Sequence, residues 1–481
     1  MTTSIIGRNA EIKILQRLLH SGEPELLAIY GRRRVGKTFL IKTYYKEHLA
    51  FSCSGQYNGK TREQLTNFIQ QLNVYFPQNK ELLHAETWQF AFNRLRSCLE
   101  SSRGSKKKVI FFDELPWLDS HKSSFLSSFS YFWNEFASQR NDLLVVICGS
   151  AASWIIDKVV NNKGGLHNRI TQRIRLLPFT LQETETYLQH RNIRLERYHL
   201  LQLYMVMGGV PAYLNAVERG KSVAQNIETI CFSKDGALAG EFDNLYAALF
   251  NTPEKHIQVI QALAKKNTGL TRSGILKTGK LLTGGNITNV LNELVESGFI
   301  QRTLPYGKKE KDSLYRLSDP FSLFYYKFMH TQKGNEIGQW TSRQATPGYL
   351  SWCGYAFENI CFSHLDQVKK ALQIGGVQST ASSWRQPGTS SETGAQIDLL
   401  LDRADQCINI CEIKFSTQPF TIDKKYAREL EQKLAAFRQN SGSRKTLFLT
   451  FITTYGLSDT IYKEQLADAD ITMDALFGQH P

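Results

Sequence analysis

Apolar runs in the first third of the chain predict buried strands separated by helices. Three such runs are LLAIY, VIFF and LLVVICG, and each leads into glycine or charged residues. Short apolar runs bounded by turn residues are typical of strands that are covered on both faces. A helical pattern, FLIKTYY, follows the first run after a glycine loop. These alternations predict an α/β fold for this part of the chain.

The middle of the chain has three amphipathic segments followed by two short strand patterns. PEKHIQVIQALAKKN, TRSGILKTGKLL and NITNVLNELVESGF predict helices, and Gly284 with Gly285 predicts a turn before the third. FIQRTLP and SLYRLSD predict paired strands with YGKKEKD as the tip between them. Three short helices followed by a strand pair resemble a winged helix-turn-helix.

This winged-helix segment carries side chains suited to nucleic acid. Three lysines at the tip would reach phosphates, and polar residues that open the third helix would face base edges. The lysines are Lys308, Lys309 and Lys311, and the polar residues are Asn286, Thr288 and Asn289. The alternative is an internal module that binds only protein.

Near the C-terminus, QIDLLLDRADQCINICEIKFS predicts two strands joined by a turn over residues 402–405. Asp398, Glu412 and Lys414 lie among residues that are otherwise apolar, where charges cost free energy unless they are paired or bind a metal. Side chains two apart on a strand point together, so Glu412 and Lys414 share a face that Asp398 can meet. A helix over YAFENICF would deliver Glu358 to the same place.

Carboxylates beside a lysine suit metal-dependent cleavage of phosphodiesters, because the acids hold Mg²⁺ and the lysine positions a water. The alternative is a surface salt bridge on a hairpin. Residues 382–396, which precede Asp398, are rich in Ser and Gly and are predicted to form a loop.

Composition indicates a soluble protein of several domains. The chain has 481 residues, of which 42% are hydrophobic and 21% charged, so it is too long for one core and we expect at least three domains. No apolar run spans a bilayer and the N-terminus lacks a signal pattern, so a cytoplasmic protein without a membrane partner is expected. The 8 cysteines are scattered, which predicts reduced core residues rather than a zinc site.

The charge of the chain predicts an anionic partner. The formal net charge is +14, and residues 255–333 carry 13 Lys and Arg against 5 Asp and Glu. Nucleic acid, here DNA, is the expected partner for this balance. The alternative is a basic surface that only aids solubility.

The glycine loop GRRRVGKT, residues 31–38, fits the phosphate-binding pattern GxxxxGK[ST] at every fixed position. Glycines let the backbone N–H groups face phosphates, Lys37 supplies a charge to them, and the Thr38 hydroxyl is placed to ligate Mg²⁺. ATP and Mg²⁺ are therefore the predicted cofactors, unless the match is a chance one in a basic loop. The predicted nucleotide-binding residues here are Gly31, Arg32, Arg33, Arg34, Val35, Gly36, Lys37, Thr38 and Phe39.

Two later predicted strands lead into residues that would act together with the P-loop: two carboxylates and one polar residue. VIFF runs into Asp113 and Glu114; Asp113 would hold Mg²⁺ through water, and Glu114 would orient the attacking water. LLVVICG ends at Gly149 and is followed by Ser150, whose side chain would monitor the γ-phosphate. A plain turn at Gly149 and Ser150 is the alternative.

Together these residues resemble the archaeal-type ATPases of the AAA+ and STAND group of P-loop NTPases. The matching segments are IIGRNAEIKIL, the P-loop, Asp113 with Glu114, the strand ending at Ser150, GGLHNRITQRIRLLPF and GGVPAYL. The resemblance implies that Gly7 and Arg8 border the adenine and that Arg169, or second Arg173, completes the γ-phosphate site. A solvated helix face is the alternative for both arginines. GGVPAYL, residues 208–214, would belong to a helical lid, or would be only a helix-breaking turn.

Residues 349–456 resemble the PD-(D/E)XK nuclease fold, a restriction-endonuclease-like α/β domain, although Ile397 stands where the proline of that name would be. The resemblance implies metal ligands at Glu358, Asp398 and Glu412, and catalysis by Asp398, Glu412 and Lys414. The implied domains are an ATPase core at 1–178, a helical lid at 179–250, a winged helix at 251–333 and a nuclease-like domain at 334–481.

These features predict an ATP-hydrolysing regulator coupled to a metal-dependent DNA nuclease. Arg169 would act best across a subunit interface, which implies a homo-oligomer. One alternative is an ATP-dependent signalling switch whose nuclease-like domain is inactive. Another is a helper ATPase that loads a different enzyme onto DNA.

Overall fold

The computed structural model describes residues 4–79, 85–102, 106–150, 152–156, 158, 166, 168–250, 252–281, 287–330, 339–344, 346–388 and 394–478. The chain divides into two compact units, Met1–Pro178 and Phe179–Pro481. None of the described helices is long and apolar enough to cross a bilayer.

The first unit is a parallel sheet between helices. Its elements are α1 (Asn9–His20), β1 (Glu25–Tyr30), α2 (Lys37–Tyr44), β2 (Leu49–Ser54), α3 (Thr61–Tyr75), α4 (Trp88–Ser101), β3 (Lys108–Asp113), α5 (Leu115–Leu118), α6 (Phe125–Glu135), β4 (Leu143–Gly149), α7 (Ala152–Ile155) and β5 (Gln172–Arg175). The five strands pair in parallel in the order β2-β3-β4-β1-β5. The predicted α/β fold is confirmed for this unit.

Both faces of this sheet are covered, which explains the continuous apolar runs. Leu26 and Ala28 of β1 pack into one buried cluster with helices α3, α4 and α6. Leu27 and Ile29, which alternate with them, pack into a second cluster with α1 and α2. Because successive side chains of a strand point to opposite faces, a strand buried between two helical layers needs apolar residues at every position.

The second unit holds two further sheets. Its elements are α8 (Leu181–His190), α9 (Arg197–Met207), α10 (Pro211–Leu214), α11 (Val223–Ile227), α12 (Glu241–Ala247), α13 (Pro253–Ala264), β6 (Leu270–Thr271), α14 (Arg272–Gly279), α15 (Ile287–Glu296), β7 (Ile300–Thr303), β8 (Leu314–Leu317), α16 (Pro320–Phe324), α17 (Gln339–Arg343), α18 (Pro347–Ser363), α19 (Leu365–Ala371), β9 (Ser379–Gln386), β10 (Ala395–Arg403), β11 (Cys407–Lys414), α20 (Lys424–Asn440), β12 (Thr446–Thr453), α21 (Ile461–Leu466) and β13 (Ala469–Thr472).

The smaller sheet, β6-β8-β7, is antiparallel; along the chain β6 lies between helices α13 and α14, and β7 and β8 follow α15. Within this sheet, β7 pairs with β8 so that Ile300 lies opposite Leu317. The predicted turn at Gly284 and Gly285, and Asn286 beside it, lie outside the described residues. How residues 179–481 divide into domains stays a prediction.

The larger sheet is mixed, in the order β13-β12-β11-β10-β9. Strands β9, β10 and β11 pair antiparallel, whereas β11, β12 and β13 pair in parallel. Cores lie on both sides of it: Leu400 and Ile410 pack with α20, and Leu399 and Cys411 pack on the opposite side.

Two local predictions for this sheet were wrong. Strand β10 continues through Arg403, because Asp402 still pairs with Ile408, so the turn is shorter than predicted. The first part of the predicted loop at 382–396 is edge strand β9, which pairs with β10. An edge strand pairs along only one side, so small polar side chains are tolerated there.

Candidate functional sites

The P-loop lies at the carboxyl edge of the first sheet. It follows β1, while β3 ends at Asp113 and β4, which lies between β1 and β3, ends at Gly149. Carboxyl ends of parallel strands meet at one edge, where open α/β sheets bind their ligands. The sheet order therefore brings the three predicted segments together.

Lys37 and Thr38 open helix α2 directly after the loop. Lys37 is buried, and its Nζ donates hydrogen bonds to the carbonyl oxygens of Gly31 (2.8 Å) and Arg32 (2.9 Å). The Thr38 hydroxyl donates to Asp113 Oδ2 at 2.8 Å. This contact puts a hydroxyl and a carboxylate side by side, which are oxygen ligands of the kind Mg²⁺ prefers.

Glu114 connects β3 to the end of β4. Its Oε2 accepts hydrogen bonds from the backbone N (3.1 Å) and the hydroxyl (2.9 Å) of Ser150. Glu114 has a φ of 45°, an uncommon conformation for a residue with a side chain. Such strain is found where surrounding structure fixes a functional side chain. The predicted water-orienting carboxylate and the predicted γ-phosphate monitor are thus direct partners.

Cys148, one of the cysteines predicted to be reduced core residues, is buried beside this site. Burial, together with the nearby negative charge of Asp113, raises the pKa of the Cys148 thiol well above its ordinary value. The thiol therefore stays protonated and serves as apolar packing at the end of β4.

Arg8, just before helix α1, is hydrogen-bonded to the P-loop. Its guanidinium donates to the carbonyl oxygens of Val35 (3.0 Å) and Leu177 (2.7 Å), and the side chain is buried. Arg8 and Gly7 both have positive φ, so the chain turns sharply into helix α1. The observed contacts of Arg8 hold the loop in shape; its predicted place beside the adenine stays a prediction.

The remaining predicted nucleotide residues differ in exposure. Arg32 and Val35 are buried, Arg33 is half-buried, and Arg34 and Phe39 are exposed. Arg169 is exposed in a turn and Arg173 is exposed on strand β5, so neither lies on a helix face. GGVPAYL belongs to the second unit and contains helix α10.

In the second unit, helix α20 supplies two partners to Glu412 that were not predicted. The buried Glu412 accepts a hydrogen bond from the Tyr426 hydroxyl at 2.8 Å and pairs with the Lys433 ammonium group. Lys414 Nζ lies 3.7 Å from Glu412 Oε2 and 5.0 Å from the centre of the Tyr426 ring. Tyr426 and Lys433 are two helical turns apart and so share one face of α20.

Asp398 lies where the pairing of β10 with β9 shifts, between Ile397 and Leu400. A shift of this kind is a β-bulge, which re-aims a side chain and is common beside active sites. Asp398 Oδ1 accepts a hydrogen bond from Gln396 Nε2 at 2.5 Å.

The pKa of Glu358, on helix α18, indicates that the charged side chains of this region lie close together. Burial, and next the negative charge of Asp398, raise the pKa of Glu358 to about 8, with Arg316 and Lys414 opposing the rise. The structure thus brings Glu358, Asp398, Glu412 and Lys414 within electrostatic reach of one another, and we call these four residues the carboxylate cluster.

The carboxylate cluster has suitable donor types for a divalent cation, but its present geometry does not hold one. No group of three or more His, Cys, Asp or Glu side chains in the described ranges is arranged to bind a metal ion. Both oxygens of Glu412 are engaged, by Tyr426 and Lys433. A cation at Glu412 would therefore compete with Lys433 for the carboxylate.

The predicted nucleic-acid side chains lie on the surface of the second unit. Lys308, Lys309 and Lys311 are exposed between β7 and β8, and Thr288 and Asn289 are exposed in the first turn of α15. These side chains are exposed to solvent and do not belong to the buried apolar clusters of this unit.

Comparison with known proteins identifies the part of the chain that carries the P-loop. Residues 5–217 match the model of an ATPase domain found predominantly in Archaea. Over these residues the chain is similar to that archaeal-type ATPase family. An uncharacterized protein of Methanocaldococcus jannaschii is 24% identical over 436 residues, which cover 89% of this chain and 91% of that protein. An uncharacterized ATP-binding protein of the same organism is 44% identical over 39 residues, 8% of this chain and 66% of that protein.

Solved structures similar to this chain include two archaeal proteins. A Walker-type ATPase of Pyrococcus abyssi has a TM-score of 0.49 and 18% identity, covering 66% of this chain and 95% of its own. The ORC2 protein of Aeropyrum pernix has a TM-score of 0.41 and 16% identity, covering 66% of this chain and 91% of its own.

Gly31 of the P-loop cannot carry a side chain without distortion. It has a φ of 144°, and a Cβ there would lie 2.3 Å from the carbonyl oxygen of Leu176. We expect Gly31→Ala to lower the free energy of unfolding by about 2 kcal/mol through strain and overpacking. Thermal unfolding measures this, with Gly22→Ala as control because its Cβ would meet nothing within 4 Å. Equal midpoints for both variants would contradict the prediction.

The raised pKa of Glu358 makes stability depend on pH. The folded state keeps a proton on Glu358 up to about pH 8, whereas the unfolded chain releases it near the ordinary value of 4.5. The unfolded state therefore binds fewer protons between these values, so this group lowers the free energy of unfolding as pH rises through that window. We expect Glu358→Gln to raise the unfolding midpoint at about pH 9 and to have little effect at about pH 4.

Denaturant unfolding of the full chain at these two pH values measures the difference. Glu431→Gln is the matched control, because Glu431 is exposed on α20. A shift from Glu358→Gln that is the same at both pH values would mean that the carboxylate charge is not the cause.

Proposed function

We propose that the protein binds and hydrolyses ATP at the P-loop. The observation that supports this best is the continuous contact from Thr38 to Asp113 and from Glu114 to Ser150. Lys37 would neutralise charge on the phosphates, and Glu114 would orient the attacking water. Ser150 would hold Glu114 in place and sense the terminal phosphate.

Mg²⁺ fits this site, because Thr38 Oγ1 and Asp113 Oδ2 lie 2.8 Å apart and both are oxygen donors. Bound Mg²⁺ would neutralise charge that develops on the phosphates during hydrolysis. We expect release of phosphate from ATP in Mg²⁺ and a loss of at least about 100-fold when EDTA removes the metal. The measurement is steady-state phosphate release, with excess Mg²⁺ restored afterwards as control. Turnover that persists in EDTA would contradict the assignment.

The second candidate function is metal-dependent cleavage of DNA by a PD-(D/E)XK-like domain. The observation that favours it is the carboxylate cluster, in which the charge of Asp398 helps to raise the pKa of Glu358. Acids that raise one another's pKa attract a cation, since a cation relieves their repulsion. Displacing Lys433 from Glu412 would switch the cluster on. Cleavage of supercoiled plasmid in Mg²⁺ or Mn²⁺ tests this candidate.

Coupling of the two activities is part of the same proposal. DNA would contact the winged-helix segment through Lys308, Lys309 and Lys311, and ATP binding would assemble several copies of the chain. Arg169 is exposed, as an arginine acting on the nucleotide of a neighbouring copy must be. If plasmid stays intact in all conditions while ATP is hydrolysed, the signalling-switch or helper-ATPase function is the better account.

A further inference from the structure

A basic cleft in the second unit has no assigned role. Its volume is about 480 Å³, within the range of small-molecule sites. Residues from β6, β8, β9 and the start of β10 line it, and its charged members are Lys266, Lys308, Asp312, Arg316 and Arg385. Four cations against one carboxylate favour an anionic ligand.

Arg316 is the member that most clearly requires a ligand. Its side chain is 4% exposed, and its Nε is buried without a hydrogen-bond partner among the described residues. An unpaired buried donor costs free energy that an anionic acceptor would recover. The Arg316 side chain also lies over the ring of Phe362, 5.0 Å from its centre, which fixes its direction.

The rest of the lining suits a nucleotide better than a bare anion. Tyr306 and Trp384 form an aromatic wall, and both pack against Phe437 with ring centres 5.5 Å and 5.2 Å apart. Aromatic side chains beside cations are the usual partners of bases and phosphates. Thr271, which caps the N-terminus of α14, adds a hydroxyl at the positive end of that helix.

The cleft adjoins the carboxylate cluster. Gln396 lines the cleft and donates to Asp398, and Arg316 lines the cleft and opposes the raised pKa of Glu358. We propose that the cleft binds one nucleotide, either within a nucleic-acid strand or free, and holds its phosphate next to this cluster. Binding of a nucleotide within a nucleic-acid strand rests on the DNA partner proposed above, whereas binding of a free nucleotide does not.

Binding is measured on the full chain carrying Lys37→Ala, which weakens phosphate binding at the P-loop. The probes are a fluorescein-labelled single-stranded oligonucleotide, AMP and inorganic phosphate. The variants are Arg316→Gln and the double change Lys266→Ala with Arg385→Ala, whose side chains are exposed and tolerate replacement. Lys265→Ala is the control, because Lys265 is exposed next to Lys266 but does not line the cleft.

We expect AMP or the oligonucleotide to bind about tenfold or more weakly to both cleft variants and equally well to the control. Binding of AMP alone would identify a free nucleotide and count against DNA as the partner. Oligonucleotide binding that the cleft variants leave unchanged would overturn this inference while the DNA interface stands. Equal binding of inorganic phosphate and AMP would overturn the nucleotide assignment, and no binding of any probe would overturn the inference together with the DNA partner.

Discussion

Replacing Lys37 with alanine should reduce ATP turnover at least about 100-fold, because it removes a preorganised charge from the phosphate site. Lys37 is buried and already points along the loop, where its Nζ bonds the carbonyl oxygens of Gly31 and Arg32. The site therefore needs little rearrangement to exchange these carbonyls for phosphate oxygens. Steady-state phosphate release and ATP binding are both measured.

The matched control for this change is Lys42→Ala. Lys42 lies on the same helix but is exposed, so its loss should leave turnover unchanged. Thermal unfolding of both variants separates lost chemistry from lost structure. Turnover retained by Lys37→Ala with an intact fold would remove the P-loop assignment.

The arrangement of the proposed ATP site could be predicted closely from sequence, for a physical reason. Its residues stand at fixed offsets from apolar runs, and a parallel sheet brings the ends of those runs to one edge. Lys37, Thr38, Asp113 and Glu114 follow directly from this rule. What the sequence could not show was strand order, which puts β4 between β1 and β3 and so makes Ser150 a direct partner of Glu114.

The carboxylate cluster was predictable only in part. The alternation of side chains along a strand predicted that Glu412 and Lys414 share a face, and that Asp398 on the neighbouring strand meets them there. The bulge at Asp398 could not be predicted in this way, because it depends on the pairing of β10 with β9, and residues of β9 had been predicted as a loop. Tyr426 and Lys433 come from helix α20, whose buried apolar residues are Ala427, Leu430 and Phe437. The spacing of two turns between Tyr426 and Lys433 was the one available clue, and it indicates a shared face without naming the partner.

Because Glu412 has these two unpredicted partners, the carboxylate cluster is either a metal site or a structural salt bridge. Cleavage of plasmid DNA distinguishes the two. If the cluster is catalytic, wild-type protein should nick or linearise supercoiled plasmid in Mg²⁺ or Mn²⁺. Asp398→Asn and Glu412→Gln should each abolish cleavage, because each removes a charged oxygen ligand. Glu431→Gln, an exposed change on α20, should cleave as wild type does.

Lys433→Ala gives the sharper test, because the two hypotheses predict opposite behaviour. Removing Lys433 leaves Glu412 buried with one hydrogen bond from Tyr426 and a more distant Lys414. A buried charge that loses its close partner destabilises a protein by about 3 kcal/mol or more. If Glu412 binds a divalent cation, Mn²⁺ should restore the unfolding midpoint of this variant, and cleavage should persist. A midpoint that Mn²⁺ does not raise, together with intact plasmid, would show that the Lys433–Glu412 pair is structural and would move the protein's function to the ATPase alone.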